Sequence, residues 1–292
     1  MTEHEHSSQI DALLDGLDTL ISLPEVAIQV NKVAENPDST AEDMGKVISQ
    51  DPALSARMLR IANSSVYGLS KEVDSISRAV TLLGMSEIRN LVLSSTVSKA
   101  FDGLLNDLIS IQDFWHHSLY CGLLSQQLAK QAGLRTSDSL FVAGLLHDIG
   151  QLVMFNRESE KSHQAILMLT DVIDDMDMHE AEERVFGFDH MQVGAQLIRK
   201  WQLPALFEEC VEFHHTPDQS TQYPQEVAIV HIANAVAVMA EFDAVDEEYE
   251  IPHIDASAWE QAKVNREELF TVISDAQNHI ADIEQTLFGQ SS

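Results

Sequence analysis

Histidine is unevenly distributed along this 292-residue chain. His4 and His6 are followed by no histidine before His116, so eleven of the thirteen lie in the second part of the sequence. An imidazole can bind a transition metal, transfer a proton near neutral pH or hydrogen-bond inside a core. Any histidine chemistry is therefore expected after residue 115.

Several of these histidines fall on the apolar faces of predicted helices. The residues 4, 7 and 11 positions after His117 are cysteine or leucine, a spacing that points the ring of His117 into the core. Asp189 is a predicted helix N-cap, which puts His190 at the start of the next apolar face. The polar residues on or beside such faces are His117, His147, Asp148, His190, His214, His215, His231 and Asn234.

These side chains provide nitrogen and oxygen ligands of the kind that Fe, Mn and Zn prefer, and helical cores build metal sites from facing helices. A buried Asp148 needs a partner or a cation, because an unpaired carboxylate is costly to bury. Asp113, one helical turn before His117, can add a second carboxylate. A single histidine on an apolar face is more often a hydrogen-bonded core residue. Whether the faces converge decides between a metal centre and separate core histidines.

Helical periodicity runs from one end of the sequence to the other, and it predicts an all-α fold. Asp51 followed by Pro52 is typical of a helix start, because aspartate caps the first turn and proline needs no hydrogen-bond acceptor there. The apolar pattern is interrupted between Phe101 and Asp113, where we predict a boundary.

Charge and composition exclude several classes of function. Forty-seven acidic residues against 17 basic ones give a net charge of −30, which repels nucleic acids and anionic membranes. The first residues lack the basic and apolar blocks of an export signal. The apolar run 227–240 is too short to span a bilayer. With only Cys121 and Cys210, both on apolar helical faces, we expect buried free thiols and a cytoplasmic protein.

A series of short motifs in the first half resembles the HDOD (HD-related output domain) family. The motifs are Leu23-Pro24, Asp51-Pro52-Ala53-Leu54, Asn63-Ser64-Ser65, Tyr67-Gly68, Ile76 and Leu83-Gly84, followed by His147-Asp148. The resemblance covers roughly residues 15–240. It implies a multi-helical fold with an N-terminal helical lobe packed on a C-terminal HD-like lobe. Members are bacterial signal-transduction modules related to HD and HD-GYP phosphohydrolases.

The resemblance also implies a domain division and a ligand set. The expected division is an N-terminal tail (1–14), an N-terminal lobe (15–108), an HD-like lobe (109–240), and an acidic loop with a C-terminal helical extension (241–292). By position in the family motifs, the implied metal ligands are His117, His147, Asp148, His190, His214 and His215, with Asp113 and Asn234 as weaker candidates. One or two divalent ions of Fe, Mn, Zn or Ni are expected, with no organic cofactor and no assigned catalytic residue.

Three departures from the related hydrolases count against catalysis. Asn234 stands where an aspartate ligand is expected, and Gln151 stands where a lysine contacts phosphate. The Gly-Tyr-Pro segment is absent, since Gln222 precedes Tyr223 and Pro224. We therefore predict a non-catalytic signalling module that contacts a protein partner and can bind a nucleotide or cyclic dinucleotide. The alternatives are an active metal-dependent phosphohydrolase or cyclic-dinucleotide phosphodiesterase and, third, a di-iron redox centre. The oligomeric state is open.

Overall fold

The computed structural model is built from helices, and no strand occurs in the parts of the chain that it describes. These parts are residues 3–15, 23–63, 67, 73–101, 108–169, 176–241, 254 and 256–288. The prediction of an all-α fold is confirmed. The helices are α1 (Glu3–Leu14), α2 (Glu25–Glu35), α3 (Ala41–Ile48), α4 (Pro52–Ala62), α5 (Ile76–Leu83), α6 (Met85–Ala100), α7 (Ile111–Gln131), α8 (Ser137–Leu146), α9 (Ile149–Arg157), α10 (Ser159–Leu169), α11 (Met178–Phe186), α12 (His190–Lys200), α13 (Ala205–Phe213), α14 (Pro224–Glu241), α15 (Ala256–Ala262) and α16 (Leu269–Phe288).

Both helix starts that the sequence indicates are present. The Asp51 carboxylate accepts hydrogen bonds from the backbone N–H groups of Ala53 and Leu54, at 2.9 and 3.0 Å, and Pro52 occupies the first turn of α4. Asp189 accepts from the N–H of Gln192 at 2.9 Å and caps α12. Such caps satisfy N–H groups that have no partner within the helix, so local sequence determines where these helices begin.

The helices pack in two connected groups. Helices α2 to α6 contact one another, α7 packs on α8 and α14, and α6 joins the two groups by contacting α8. The backbones of α7 and α8 approach closely because glycines face each other: a Cβ on Gly144 would lie 2.8 Å from the Cα of Gly122. This contact sets the position of the C-terminal end of α8, where the His147-Asp148 pair begins.

The terminal segments are packed against the rest of the fold. The segment predicted as an N-terminal tail contains α1, which buries Ile10, Leu13 and Leu14 and contacts α9 and α12. At the other end, α16 contacts α7 and α14 as well as α4 and α6. Residues 102–107 of the predicted boundary and the acidic stretch 243–250 lie outside the described residues. The domain limits themselves stay predictions.

One described stretch, Ser137–Arg157, is apolar and long enough to cross a membrane, but 83% of its 18-residue apolar window is buried inside the fold. It comprises α8 and α9, which are separated at His147 and Asp148. Such burial is typical of a core helix in a soluble protein. Cys121 and Cys210 are buried free thiols, as predicted.

A buried acidic group lies where α6 meets α8. Glu87, on α6, is 5% exposed and accepts a hydrogen bond from the hydroxyl of Tyr67. Burial raises the pKa of Glu87 to about 7, and the nearby Asp138 carboxylate of α8 adds to this rise. The charged form of Glu87 is therefore disfavoured between the two helix groups.

Replacement of Glu87 by glutamine is expected to change how stability depends on pH. Because the pKa is about 7 in the folded protein and 4.5 in the unfolded reference, the native state holds the Glu87 proton more tightly. The stability that this group contributes is complete below pH 4.5 and declines as the pH rises to 7. The total loss is about 3.5 kcal/mol, at about 1.4 kcal/mol per pH unit. Glu87→Gln should therefore equal the parent near pH 4 and exceed it near pH 8 in urea unfolding.

The exposed Glu260 provides the matched control, because Glu260→Gln makes the same charge change on the surface. Its stability difference from the parent is expected to stay nearly constant over the same pH range. If the unfolding free energies of the parent and of Glu87→Gln change with pH in parallel, the raised pKa of Glu87 in the folded protein is contradicted.

Candidate metal centre

The His-Asp pair lies at the break between two core helices. His147 is the C-cap of α8, and Asp148 is the N-cap residue of α9. His190 begins α12, and His214 is the C-cap of α13. Four of the predicted ligands therefore come from helix ends, where the chain changes direction and several segments can meet around one point.

The rings of three buried histidines are held by their Nδ1 atoms. His147 Nδ1 lies 2.7 Å from the carbonyl oxygen of Gly144, and His214 Nδ1 lies 2.9 Å from that of Val211. His190 Nδ1 is 2.6 Å from Glu182 Oε2. Carbonyl and carboxylate oxygens only accept hydrogen bonds, so each Nδ1 carries the proton. In each neutral ring the Nε2 atom then has a free electron pair.

Three potential ligand atoms form a nearly equilateral triangle. Asp148 Oδ1 lies 3.3 Å from His190 Nε2 and 3.3 Å from His214 Nε2, and the two Nε2 atoms are also 3.3 Å apart. Ligands about 2.1 Å from one ion, at tetrahedral or octahedral angles, are themselves separated by roughly 3.0–3.4 Å. The spacing of Asp148, His190 and His214 therefore fits one transition-metal ion.

The hydrogen bonding around this triangle also indicates a position for a metal ion. Asp148 Oδ1 and His147 Nε2 are buried and form no hydrogen bond of good geometry within the described residues, although His147 Nε2 lies 3.1 Å from Asp148 Oδ2 and Asp148 Oδ1 lies 3.3 Å from two imidazole nitrogens. Buried polar atoms are normally satisfied, and an exception in a cluster of acceptors indicates a position for a cation or a proton.

Electrostatics determine which ring holds a proton when no ion is bound. Burial disfavours a charged His190, but the Glu182 and Asp148 carboxylates outweigh burial and raise its pKa to about 10. Burial lowers the pKa of His214 to about 4. The pKa of Asp148 is held well below its usual value, because the neighbouring histidines outweigh the effect of burial. An ion at the triangle competes with the His190 proton, since a ligating nitrogen must be unprotonated.

A second group of potential ligands consists of His117, His147 and Asp148. His147 Nε2 lies 3.1 Å from Asp148 Oδ2, and the rings of His117 and His147 are 5.4 Å apart between centroids. Both nitrogens of His117 face oxygen atoms of α14: Nδ1 is 2.5 Å from Glu241 Oε1, and Nε2 is 3.0 Å from Asn234 Oδ1. Asp148 is the residue shared by the two groups.

The two remaining candidates differ in position. His215 is half-buried and belongs to the group of Asp148, His190 and His214, whose ligand atoms all lie within 4.8 Å of one another. Asp113 is exposed in the first turn of α7, where its backbone N–H bonds to Ser110 Oγ. The structure does not bring Asp113 into either group, because it is exposed in the first turn of α7, one helical turn before His117.

Sequence reasoning missed three residues around the cluster. Glu182 is 1% exposed and orients His190, while Glu241 contacts His117 from the end of α14. The His179 ring stacks on His215 at 4.7 Å between centroids. Glu182 had a sequence signal, since it lies one helical turn before the buried Phe186 on the same face of α11.

A comparison with protein-family models gives a match to the HDOD domain over residues 20–217, more than half of the chain. The chain belongs to the HDOD domain family. The protein is an HDOD domain whose core contains groups of histidine and aspartate side chains that could hold a metal ion. The resemblance first indicated by short motifs is confirmed.

The chain is also similar to a protein of known sequence. An uncharacterised protein of Treponema pallidum (strain Nichols) is 27% identical over 228 residues, which are 76% of this chain. They are only 43% of the relative, so this HDOD chain spans less than half of that protein.

Solved structures share the fold. A candidate phosphohydrolase from Shewanella amazonensis SB2B has a TM-score of 0.75 and 27% identity, with 94% of this chain and 98% of that chain covered. A candidate signal-transduction protein from Marinobacter aquaeolei VT8 has a TM-score of 0.74 at 19% identity. The match covers 97% of this chain and 65% of that one.

Proposed function

We propose that this HDOD chain is a bacterial signal-transduction module whose HD-like core binds a divalent transition metal without hydrolysing a phosphoester. The proposal of metal binding rests on one observation: the ligand atoms of Asp148, His190 and His214 form a triangle with sides of 3.3 Å. Zinc, manganese, iron or nickel suits this donor set, because each accepts imidazole nitrogen and carboxylate oxygen. Such an ion bound here would link α9, α12 and α13.

The absence of hydrolysis is inferred from two neutral side chains. Asn234 contacts His117 in place of an aspartate ligand, and Gln151 occupies the lysine position after the His-Asp pair. Hydrolysis of a phosphoester builds up negative charge in the transition state, which cations stabilise. Loss of one anionic ligand and one cation weakens both ion assembly and this stabilisation.

The test combines the native chain with the double variant Gln151→Lys/Asn234→Asp. Both proteins are loaded with Mn²⁺ or Fe²⁺ and assayed on bis-p-nitrophenyl phosphate and on a cyclic dinucleotide. We expect the native chain to stay at the background rate of the metal-containing buffer. The double variant should exceed that rate by about 100-fold, the effect typical of one transition-state contact. The single variant Gln151→Lys controls for the added positive charge. Robust turnover by the native metal-loaded chain would contradict the proposal.

The second candidate function is an active metal-dependent phosphohydrolase. It is favoured by the intact Asp148, His190 and His214 group and by the name of the Shewanella relative at 27% identity. The same assay distinguishes the two functions, because this candidate requires native turnover that disappears with a chelator.

The proposed signalling role suggests a cellular location and a type of partner for this protein. We propose a cytoplasmic protein that receives or transmits its signal through a protein partner, with a nucleotide or cyclic dinucleotide as a further ligand. The net charge of −30 supports a partner other than nucleic acid or an anionic membrane. Co-purification with a tagged copy of this chain in the native host provides the direct measurement of the partner.

A further inference from the structure

The two potential ligand groups differ in how many ligand atoms are free. In the first, Asp148 Oδ1 and the Nε2 atoms of His190 and His214 face one another, and each Nδ1 is already held by a protein oxygen. In the second, His117 contributes no free nitrogen, because Glu241 and Asn234 contact both ring atoms. The groups are therefore not equivalent.

Asn234 contacts the ring nitrogen of His117 that Glu241 leaves open. Its Oδ1 atom lies 3.0 Å from His117 Nε2, while Glu241 already contacts Nδ1, and His117 has a ligand atom within 4.8 Å of those of His147 and Asp148. An amide can accept from a protonated ring nitrogen or, turned over, donate to an unprotonated one. In both orientations the Nε2 atom of His117 is engaged, and the amide adds no negative charge.

The number of remaining ligands then favours one position over the other. Without His117, the second group offers His147 Nε2 and Asp148 Oδ2, two atoms 3.1 Å apart. Protein sites for catalytic zinc supply about three ligands, and structural sites supply about four. The first group reaches three with Asp148, His190 and His214, and His215 lies within the same group.

We propose that this chain holds a single ion, at the position of Asp148, His190 and His214, and that the Asn234 side chain keeps His117 from completing a second position. The proposal rests on the proposed metal binding and adds the number and location of the ions. It also assigns Asn234 a role, which is to determine how many ions the core holds.

The experiment counts zinc in the full chain. The parent, Asn234→Ala, Asn234→Asp and His190→Ala are dialysed against Zn²⁺, passed over a desalting column and measured by inductively coupled plasma mass spectrometry. We expect about one ion per chain in the parent, about two in Asn234→Asp, where a carboxylate replaces the amide, and almost none in His190→Ala. Asn234→Ala removes the amide at unchanged net charge and frees the Nε2 atom of His117, so its count should also rise above one ion per chain; a count that stays near one would overturn the role of Asn234.

Location is measured separately, by anomalous scattering from zinc in crystals of the parent and of Asn234→Asp. One peak beside His190 and His214 is expected in the parent, and a second peak beside His117 is expected in the variant. Two ions in the parent, or one ion beside His117, would overturn the single-ion proposal while leaving metal binding intact. An unchanged count in a folded Asn234→Asp would overturn the role of Asn234. No zinc in any of the proteins would instead refute the proposed metal binding.

Discussion

Asp148→Asn is expected to remove bound transition metal from the purified chain. Asp148 is the one residue common to both ligand groups, and its Oδ1 atom lies 3.3 Å from two imidazole nitrogens. Asparagine has almost the same shape but no charge, so it keeps the packing and loses the anionic ligand. Changes to residues that only orient a ligand typically cost 10–100-fold in metal affinity, so loss of this carboxylate should cost at least about 100-fold.

The measurement is the zinc dissociation constant by competition with a chromophoric chelator, together with thermal unfolding of each protein. Asp113→Asn is the matched control, because it makes the same substitution at an exposed aspartate outside both groups. It should bind zinc as the parent does. Equal affinity of Asp148→Asn and the parent, with both proteins folded, would exclude the proposed centre.

Gly150→Ala is expected to cost about 3 kcal/mol or more of unfolding free energy, at the upper end of the range for overpacked core positions. A Cβ at this position would lie 2.0 Å from the carbonyl oxygen of His190 and 2.7 Å from the backbone nitrogen of Gly194. Both atoms belong to the backbone of α12, which cannot move aside as a side chain can. Helices α9 and α12 must therefore separate, and His190 moves away from Asp148.

Urea unfolding at fixed pH measures this loss, with zinc affinity as the second readout. Asn156→Ala, on the same helix at a partly exposed position, is the matched control and should change stability by about 0.5 kcal/mol or less. A Gly150→Ala protein within 1 kcal/mol of the parent would contradict the close approach of α9 and α12, since overpacking costs about 1–3 kcal/mol.

The glycine of the His-Asp-x-Gly motif therefore has a packing explanation. Gly150 allows α12 to come within contact distance of α9, and this contact brings His190, 42 positions after Asp148, to its carboxylate. In the sequence this glycine is only part of a family motif. Its physical role is visible only when the two helices are placed together.

Local features of the sequence were sufficient for the helical architecture. Apolar residues at helical spacing and caps such as Asp51 and Asp189 act within a few residues, so they can be interpreted without knowledge of the fold. The same holds for the inward position of His214 and for the family motifs that identified an HDOD chain.

What the sequence alone determined about this protein is its helical class, its HDOD membership and the set of polar residues available for a site. The tertiary structure decided which of them meet: it joined Asp148 to His190 and His214, tied His117 to Asn234, and left Asp113 on the surface. These contacts join residues between 42 and 117 positions apart. Helical periodicity specifies the face on which a side chain lies, but not the partner that packs against that face.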